Sequence, residues 1–285
     1  MRKTTIAMLA TMPTMSLATP VNAAGPATTG YAEVNGLDMY YEITGAGDPV
    51  VLLLGAYMNT GLMQPLTDAL AETRRVIAVD LQAHGRTAAI DRPLGYEPNA
   101  DDVAALLGEV GVDKADTFGY SMGGGVANQL AIQHPERVDR LAVAAASHAV
   151  DGVYPELMDM LAEMTPESFA DTPWEAAHEA VAPKALPKLV EKHLAFEASF
   201  EGWPAEDIAG IEAPTLVISG DADIVRPEHS IETYRLVGGG PSADFMTAAS
   251  GELAIIPGAS HLGVLQRLDL LVPISTTFFD KEIAP

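Results

Sequence analysis

The sequence has no cysteine, few basic residues and no long apolar run. Without cysteine it can form no disulfide bond, no Cys-ligated metal site and no lipid-linked Cys anchor. Lys and Arg number 16 against 39 Asp and Glu, a formal net charge of −23. That charge argues against nucleic acid or an anionic membrane as a partner, and no apolar stretch could span a membrane. The chain, of 285 residues, is 48% hydrophobic, which predicts a globular protein with a large core.

The first 23 residues have the pattern of a secretory signal peptide. Arg2 and Lys3 form a charged start, residues 6–12 a short apolar core, and residues 21–23 a small-residue cleavage site. The alternative interpretation is a disordered tail. We expect an exported bacterial protein, periplasmic or extracellular, with a core large enough to be stable without disulfides.

Strand-like and helix-like segments alternate through most of the remaining chain. Asn35-Gly36 suits a type I′ turn and predicts a hairpin of two strands around it. Residues 50–54 are continuously apolar, as in a strand buried on both faces of a parallel sheet. Residues 75–80 and 138–146 are predicted as further buried strands, and the sheet resumes at residues 215–219. This alternation predicts an α/β fold with a mostly parallel central sheet flanked by helices.

The alternation stops between residues 147 and 208. This stretch has no apolar strand, and six prolines divide it into short helical pieces. We interpret it as a helical cap inserted into a core formed by residues 24–146 and 209–285. Pro273 is expected to divide the last helix of the core into two pieces.

Gly119-Tyr120-Ser121-Met122-Gly123 is the segment that points to chemistry. It matches G-x-S-x-G, in which the serine sits on a strained strand-to-helix turn with its hydroxyl exposed above the sheet. A Cβ at Gly119 or Gly123 would collide with this tight turn. The following helix directs its N-terminal N–H groups at the site, which favours a developing negative charge.

A serine nucleophile needs a base, and on this turn the order along the chain is Ser, then Asp or Glu, then His. His261 follows the last predicted strand on a turn and can reach the serine. His148 begins the insertion and could line a pocket. His178 and His193 are expected to be solvated or at the core edge, and His229 is expected at the surface.

The carboxylate that orients the base should follow the preceding strand. Asp221 and Asp223 both do so. The aspartate nearer the strand is expected to hold the loop by accepting bonds from backbone N–H groups, which favours Asp223 as the partner of the histidine. Asp151 is a more distant third candidate.

These segments together resemble the α/β-hydrolase superfamily, and in particular its small, cap-bearing esterases and lactonases. The resemblance extends from about Tyr31 to Phe279. It rests on five motifs in the family's order: Val50 to Gly55, Asp80 to Thr87, Gly119 to Gly124, Gly220 to Asp223 with Pro227, and Gly258 to His261. The resemblance implies Asp223 as the triad acid, because the family uses the second aspartate of the G-D-x-D turn.

The resemblance also implies an oxyanion hole built from the backbone N–H groups of Ala56 and Met122. The chain departs from the family at this point. The first parallel strand of the family usually ends in His-Gly, whereas this chain has Leu54-Gly55. The family histidine supports the loop, so its replacement by an alkyl side chain leaves the placement of Ala56 open.

Large side chains near Ser121 and in the predicted cap are candidates for a substrate pocket, although such residues are more often part of the hydrophobic core. The candidates are Tyr57, Tyr120, His148, Met158 and Trp174.

We expect a serine hydrolase that acts on a small-molecule carboxylic ester or lactone (EC 3.1.1) through Ser121, His261 and Asp223, with no cofactor and no metal. Two alternatives remain open. One is other triad chemistry on the same fold: carbon–carbon hydrolysis, perhydrolysis or a hydroxynitrile lyase-like reaction. The other is a catalytically weak homologue that binds a ligand. The oligomeric state is left open by the sequence.

Overall fold

A computed structural model describes residues 27–245 and 250–281. The predicted signal peptide lies outside the described residues. Within them, eight strands form a single sheet in the order β1-β2-β4-β3-β5-β6-β7-β8. The strands are β1 Thr28–Val34, β2 Leu37–Thr44, β3 Pro49–Leu53, β4 Arg75–Val79, β5 Ala115–Tyr120, β6 Val138–Ala144, β7 Thr215–Ala222 and β8 Gly251–Ser260.

Ten α-helices connect or flank these strands in the described part of the chain. They are α1 Gln64–Ala71, α2 Tyr96–Glu109, α3 Met122–Gln133, α4 Pro155–Ala162, α5 Pro173–Val181, α6 Leu186–Ser199, α7 Ala205–Ala209, α8 Pro227–Leu236, α9 His261–Gln266 and α10 Leu268–Phe279. The α/β fold is confirmed.

The sheet is parallel from β4 to β8, and the hairpin β1–β2 adds an antiparallel edge. Asn35 and Gly36 at the hairpin turn have φ values of 51° and 79°, the left-handed pair that a type I′ turn requires. The carboxyl ends of β3, β5, β6, β7 and β8 therefore meet at one edge of the sheet. Functional side chains of α/β folds collect at that edge.

The apolar residues of β3 alternate between two separate parts of the core. Val51 and Leu53 face a cluster that includes α2 and α3, whereas Val50 and Leu52 face a second cluster that includes α1 and α10. Side chains alternate across a strand, so a strand covered by helices on both faces must be apolar throughout. This double coverage accounts for the uninterrupted apolar run in the sequence.

Helices α4 to α7 and two short 3-10 turns occupy the segment between β6 and β7, together with an isolated bridge from Val153 to Val225. We refer to this segment, residues 145–214, as the insertion. Its buried apolar residues, Phe169 and Leu189 among them, belong to the same cluster as β3 and α3. The insertion therefore packs directly against the core.

The break in the last helix is not where the sequence predicts it. The chain breaks at Arg267, between α9 and α10, and Pro273 lies inside α10. Pro273 is exposed, so the helix carbonyl that loses its N–H partner there can bond to water instead.

Candidate active site

Ser121 lies on a strained turn between β5 and α3. Its backbone has φ 54° and ψ −122°, a conformation that costs about 1–3 kcal/mol in a residue with a side chain. A Cβ on Gly119 would lie 2.3 Å from the carbonyl oxygen of Gly123, and one on Gly123 would lie 2.3 Å from that of Leu53. Glycine at both positions lets the turn close and brings α3 against β3.

Ser121, His261 and Asp223 form a continuous chain of hydrogen bonds. Nε2 of His261 lies 2.9 Å from Oγ of Ser121, and Nδ1 lies 2.8 Å from Oδ1 of Asp223. A proton on Nδ1 donates to the carboxylate, which leaves Nε2 to accept the serine proton. The Asp223 side chain is fully buried and that of His261 is 12% exposed, so the histidine faces the cavity described below.

Backbone groups fix the Asp223 carboxylate in place. Gly220 N donates to Oδ2 over 3.3 Å and Val225 N to Oδ1 over 3.2 Å. Asp221 points elsewhere and accepts a bond from Gly258 N at 2.7 Å. The structure therefore places Asp223 against the histidine and Asp221 in the role of loop support. Asp151 lies in a short 3-10 turn of the insertion.

His261 is held from its other side by Tyr120. The Tyr120 hydroxyl donates to the His261 carbonyl oxygen at 3.0 Å, and the two rings lie 5.2 Å apart. His261 is also the first residue of α9, where Ser260 caps the helix by accepting a bond from Gly263 N. The imidazole thus sits at the start of a helix directly after β8, and not on the turn that the sequence predicts.

The loop after β3, residues 54–59, forms the other side of the site. Ala56 and Met122 line the same cavity as Ser121, and Met122 is the first residue of α3. Leu54 is buried in an apolar cluster with Met58 and Tyr120. Leu54, which stands where the resemblance implies a histidine, therefore contributes packing and no side-chain hydrogen bond.

Leu54 can make no side-chain hydrogen bond to this loop. Side-chain hydrogen bonds instead connect the loop to the insertion. Nε2 of His178 donates to the carbonyl oxygen of Tyr57 over 2.9 Å, and the Asn59 amide donates to the Ala177 carbonyl over 3.1 Å. Both partners in the insertion belong to α5. Tyr57 has φ 60°, so the loop is held in a strained conformation at the residue that His178 contacts.

A cavity of about 100 Å³ that opens to solvent lies above Ser121 and His261. The insertion contributes several of its walls. Its lining is mostly apolar and includes Ala56, Tyr96, Met122, Leu157, Met158, Phe200 and Val225, with Ser147 and Glu197 as polar members.

Four of the five pocket candidates do not line this cavity. Tyr57 packs against Phe169 and His193, with ring centroids 4.7 and 4.5 Å apart. Tyr120 supports His261, and Trp174 is buried in the core cluster. Only the sequence candidate Met158 is among the lining residues. Residue spacing along a helix does not show which side chains point into a pocket. The other four candidates are buried elsewhere in the protein.

His148 stacks on His229 instead of lining the cavity. The ring centroids are 4.2 Å apart, and His229 Nε2 lies 2.9 Å from the Ser147 hydroxyl. His229 is buried, so its expected surface position is wrong, because the insertion covers the start of α8. Burial is the main cause that lowers the pKa of His148 to about 4 and also lowers the pKa of His229.

His178, His193 and Glu197 are features that the sequence did not reveal. Both histidines are buried, against the expectation of a solvated or core-edge position. Glu197 lines the cavity, and burial raises its pKa to about 7. The bond from His178 to Tyr57 joins residues 121 positions apart, and the place of Glu197 at the cavity depends on how the insertion packs, so no local pattern could have identified their roles.

Two absences hold for residues 27–245 and 250–281. No group of three or more His, Asp or Glu side chains there is arranged to hold a metal ion. No helix in the same ranges is long and apolar enough to cross a membrane.

Comparisons with known proteins agree on the fold. A family model described as the alpha/beta hydrolase fold matches residues 48–183. The RutD protein of Azorhizobium caulinodans, provisionally named a carbamate hydrolase, is 28% identical over 224 residues, which cover 70% of this chain and 82% of that protein. The 2-hydroxymuconate semialdehyde hydrolase of Pseudomonas sp. CF600 is 30% identical over 65% of this chain and 73% of its own length.

A solved structure is similar over nearly the whole described chain. It is Est816, described as an N-acyl homoserine lactone degrading enzyme. It is 25% identical, has a TM-score of 0.70, and the match covers 87% of this chain and 99% of that one.

Proposed function

The chain belongs to the α/β-hydrolase family, and from this premise we propose that it is a serine hydrolase that cleaves a carboxylic ester or lactone. The observation that carries the proposal is the hydrogen-bonded chain from Ser121 through His261 to Asp223 at the floor of an apolar cavity. The similarity to Est816, which degrades lactones, supports the same class.

In this reaction Ser121 Oγ attacks the carbonyl carbon while His261 Nε2 accepts the hydroxyl proton. Asp223 holds Nδ1–H and stabilises the imidazolium that forms. The backbone N–H groups of Ala56 and Met122 bind the oxyanion, helped by the N-terminus of α3. His261 then returns the proton to the leaving oxygen. Water hydrolyses the acyl-enzyme in a second pass through the same steps.

The test is covalent labelling of the intact protein by a fluorophosphonate, together with a burst of p-nitrophenol from a p-nitrophenyl ester. Ser121→Ala should abolish labelling and lower kcat by about 10⁴–10⁶. Ser147→Ala is the matched control, because Ser147 lines the same cavity and lies beside its own histidine, His229. Labelling that maps to Ser147, or that persists in Ser121→Ala, would contradict the proposal.

A substrate panel separates ester or lactone cleavage from the other reactions of this triad. The relatives named above include a carbon–carbon hydrolase and a provisional carbamate hydrolase, so the panel should contain esters, lactones, aryl carbamates and a dienoate semialdehyde. We expect the highest kcat/KM for esters or lactones with short to medium acyl chains, because the insertion limits the cavity. A clear preference for carbamates, dienoates or long-chain triglycerides would contradict this expectation.

We also propose that the protein is exported to the periplasm or the medium. The charged start, short apolar core and small-residue end of residues 1–23 support this. Mass spectrometry of the N-terminus after expression in a bacterial host should find a chain that begins near residue 24. An intact N-terminus on cytoplasmic protein would contradict export.

A further inference from the structure

The cavity above Ser121 contains one acidic side chain that the triad does not use. Glu197 lies on α6 and lines the cavity together with apolar groups such as Tyr96, Leu157 and Phe200. Its side chain is 22% exposed. Among the residues the structure describes, it is the only carboxyl that reaches this cavity.

The Glu197 carboxylate has no compensating partner in the described part of the chain. The nearest basic group is His193, whose Nε2 is 3.7 Å from Oε1, too far for a hydrogen bond. Burial lowers the pKa of His193 to about 3, so this ring is neutral and supplies no charge. A ligand that fills the cavity shields this carboxylate from solvent, which is costly unless the ligand itself brings a donor.

We propose that Glu197 selects substrates that carry a hydrogen-bond donor or an ammonium group on the part that enters the cavity, and this rests on the proposed ester or lactone hydrolysis. The remaining lining is apolar enough to bind an alkyl chain, so the inferred substrate has a short apolar spacer between the scissile carbonyl and the donor. An unsubstituted alkyl ester would leave Glu197 unpaired and buried beneath it.

The first experiment compares two esters that differ only at the end of the acyl chain. These are p-nitrophenyl 6-aminohexanoate and p-nitrophenyl heptanoate, in which an ammonium replaces a methyl group; 8-aminooctanoate and nonanoate form a longer pair. At pH 8, above the pKa of about 7 to which burial raises Glu197, the carboxylate and the amine are both charged. Glu197→Gln should lower the ratio of kcat/KM, amino ester over alkyl ester, at least tenfold.

The control variant is Glu191→Gln. Glu191 lies on the same helix, is exposed and pairs with Lys188 at 3.0 Å outside the cavity. Its removal changes the net charge by the same amount, so a ratio that stays constant in Glu191→Gln excludes a general electrostatic effect. A ratio that falls equally in both variants, or in neither, at both chain lengths overturns the inference.

The second experiment keeps the inference separate from the proposed chemistry. Calorimetry measures binding of n-hexylammonium and of methyl n-pentyl ether, which has the same length and no donor, to Ser121→Ala and to Ser121→Ala combined with Glu197→Gln. We expect hexylammonium to bind at least tenfold more weakly to the double variant, with no such loss for the ether. Equal binding to both variants overturns the inference. If no ester is turned over but this difference is found, the hydrolase proposal fails and the inference about Glu197 stands.

Discussion

The two sides of the catalytic cleft are built by different parts of the molecule. The elbow side, residues 119–125, is shaped by its own glycines and by neighbouring strands: Ser121 N donates to Ala144 O of β6 at 2.8 Å. The loop side, residues 54–59, is held by α5 of the insertion through His178 and Asn59. The proposed nucleophile therefore depends on the sheet, whereas half of the proposed oxyanion hole depends on a helix whose contact with the loop spans 121 positions of the chain.

This difference implies that the two sides can be disturbed separately. A change on the elbow side should damage the nucleophile or the fold, because its contacts are with the core. A change on the loop side should leave the fold and the triad in place and affect only transition-state stabilisation. The predictions below test this separation, beginning with the largest effect.

Of the changes that compare the two sides, Asp223→Asn should have the largest effect on catalysis. The amide cannot stabilise the imidazolium and favours the wrong histidine tautomer, so kcat should fall by about 10³–10⁴. Asp221→Asn is the control, because it only replaces the charged acceptor of the Gly258 N–H by a neutral amide oxygen, which should cost about 1 kcal/mol of stability or less and leave kcat nearly unchanged. Steady-state kinetics and thermal unfolding of both variants measure this. Equal losses of kcat would show that the two aspartates have been assigned wrongly.

Gly123→Ala should break the fold of the elbow. The added Cβ would lie 2.3 Å from the carbonyl oxygen of Leu53 and 2.6 Å from that of Leu54, both backbone atoms that cannot move aside. We expect a loss of about 3 kcal/mol in the free energy of unfolding.

Gly108→Ala tests whether that loss is specific to the elbow. Gly108 also lies in a helix, α2, but its Cβ would meet only the end of the Arg137 side chain, at 3.6 Å. Alanine there should stabilise by about 0.5–1 kcal/mol. Urea unfolding of the two variants gives the comparison, and similar midpoints would contradict the close contact between α3 and β3.

His178→Leu should affect the loop side alone. Without its Nε2–H the Tyr57 carbonyl loses its partner, and the Ala56 N–H moves from its place at the oxyanion. Complete loss of one oxyanion donor costs about 10²–10³ in rate, so we expect kcat to fall by about 10–100-fold with KM nearly unchanged. His178→Gln, which keeps a donor, should recover part of kcat.

The control on the same helix is Glu179→Ala. Glu179 is exposed and caps Lys184 N at 2.8 Å, so its loss loosens the end of α5 without touching the loop. The rate of fluorophosphonate labelling should follow kcat across the variants, because that reaction also uses the oxyanion hole. A variant of His178 that lowers the melting temperature but keeps kcat would show that its role is packing alone.

The same division explains what the sequence could predict. The order of Ser121, Asp223 and His261 along the chain and the apolar strands can both be recognised from local sequence patterns. The structure keeps them because the elbow side is shaped by its own glycines and by neighbouring strands. His178 contacts Tyr57 across 121 positions, and Glu197 reaches the cavity from the insertion, where no period or motif fixes which helix face meets the core. The predicted surface position of His229 is wrong for the same reason, because its burial depends on where the insertion lies over α8.

His193→Phe should have the smallest effect, which appears only as pH is lowered. The histidine is buried between Tyr57 and Phe196, and neither ring nitrogen has a partner within the described residues. Its titratable neighbours are Tyr57, His84 and Glu197. Burial is the main cause that lowers its pKa from 6.5 to about 3. The unfolded chain therefore binds a proton that the folded protein does not, and stability is lost as pH falls below about 6.5.

Between pH 7 and pH 6 this histidine should cost about 0.7 kcal/mol of stability, and phenylalanine should remove that cost while keeping the ring contacts. Glu197 has the opposite effect on stability, because burial raises its pKa to about 7 and its protonation then stabilises the fold as pH falls. The double variant His193→Phe with Glu197→Gln separates the contributions of the two residues. Phe196→Leu changes the same packing without removing a titratable group. The dependence of its unfolding free energy on pH should therefore match that of wild type. Urea unfolding at the two pH values measures the slopes, and an unchanged slope in His193→Phe would show that acid acts on the insertion through other groups.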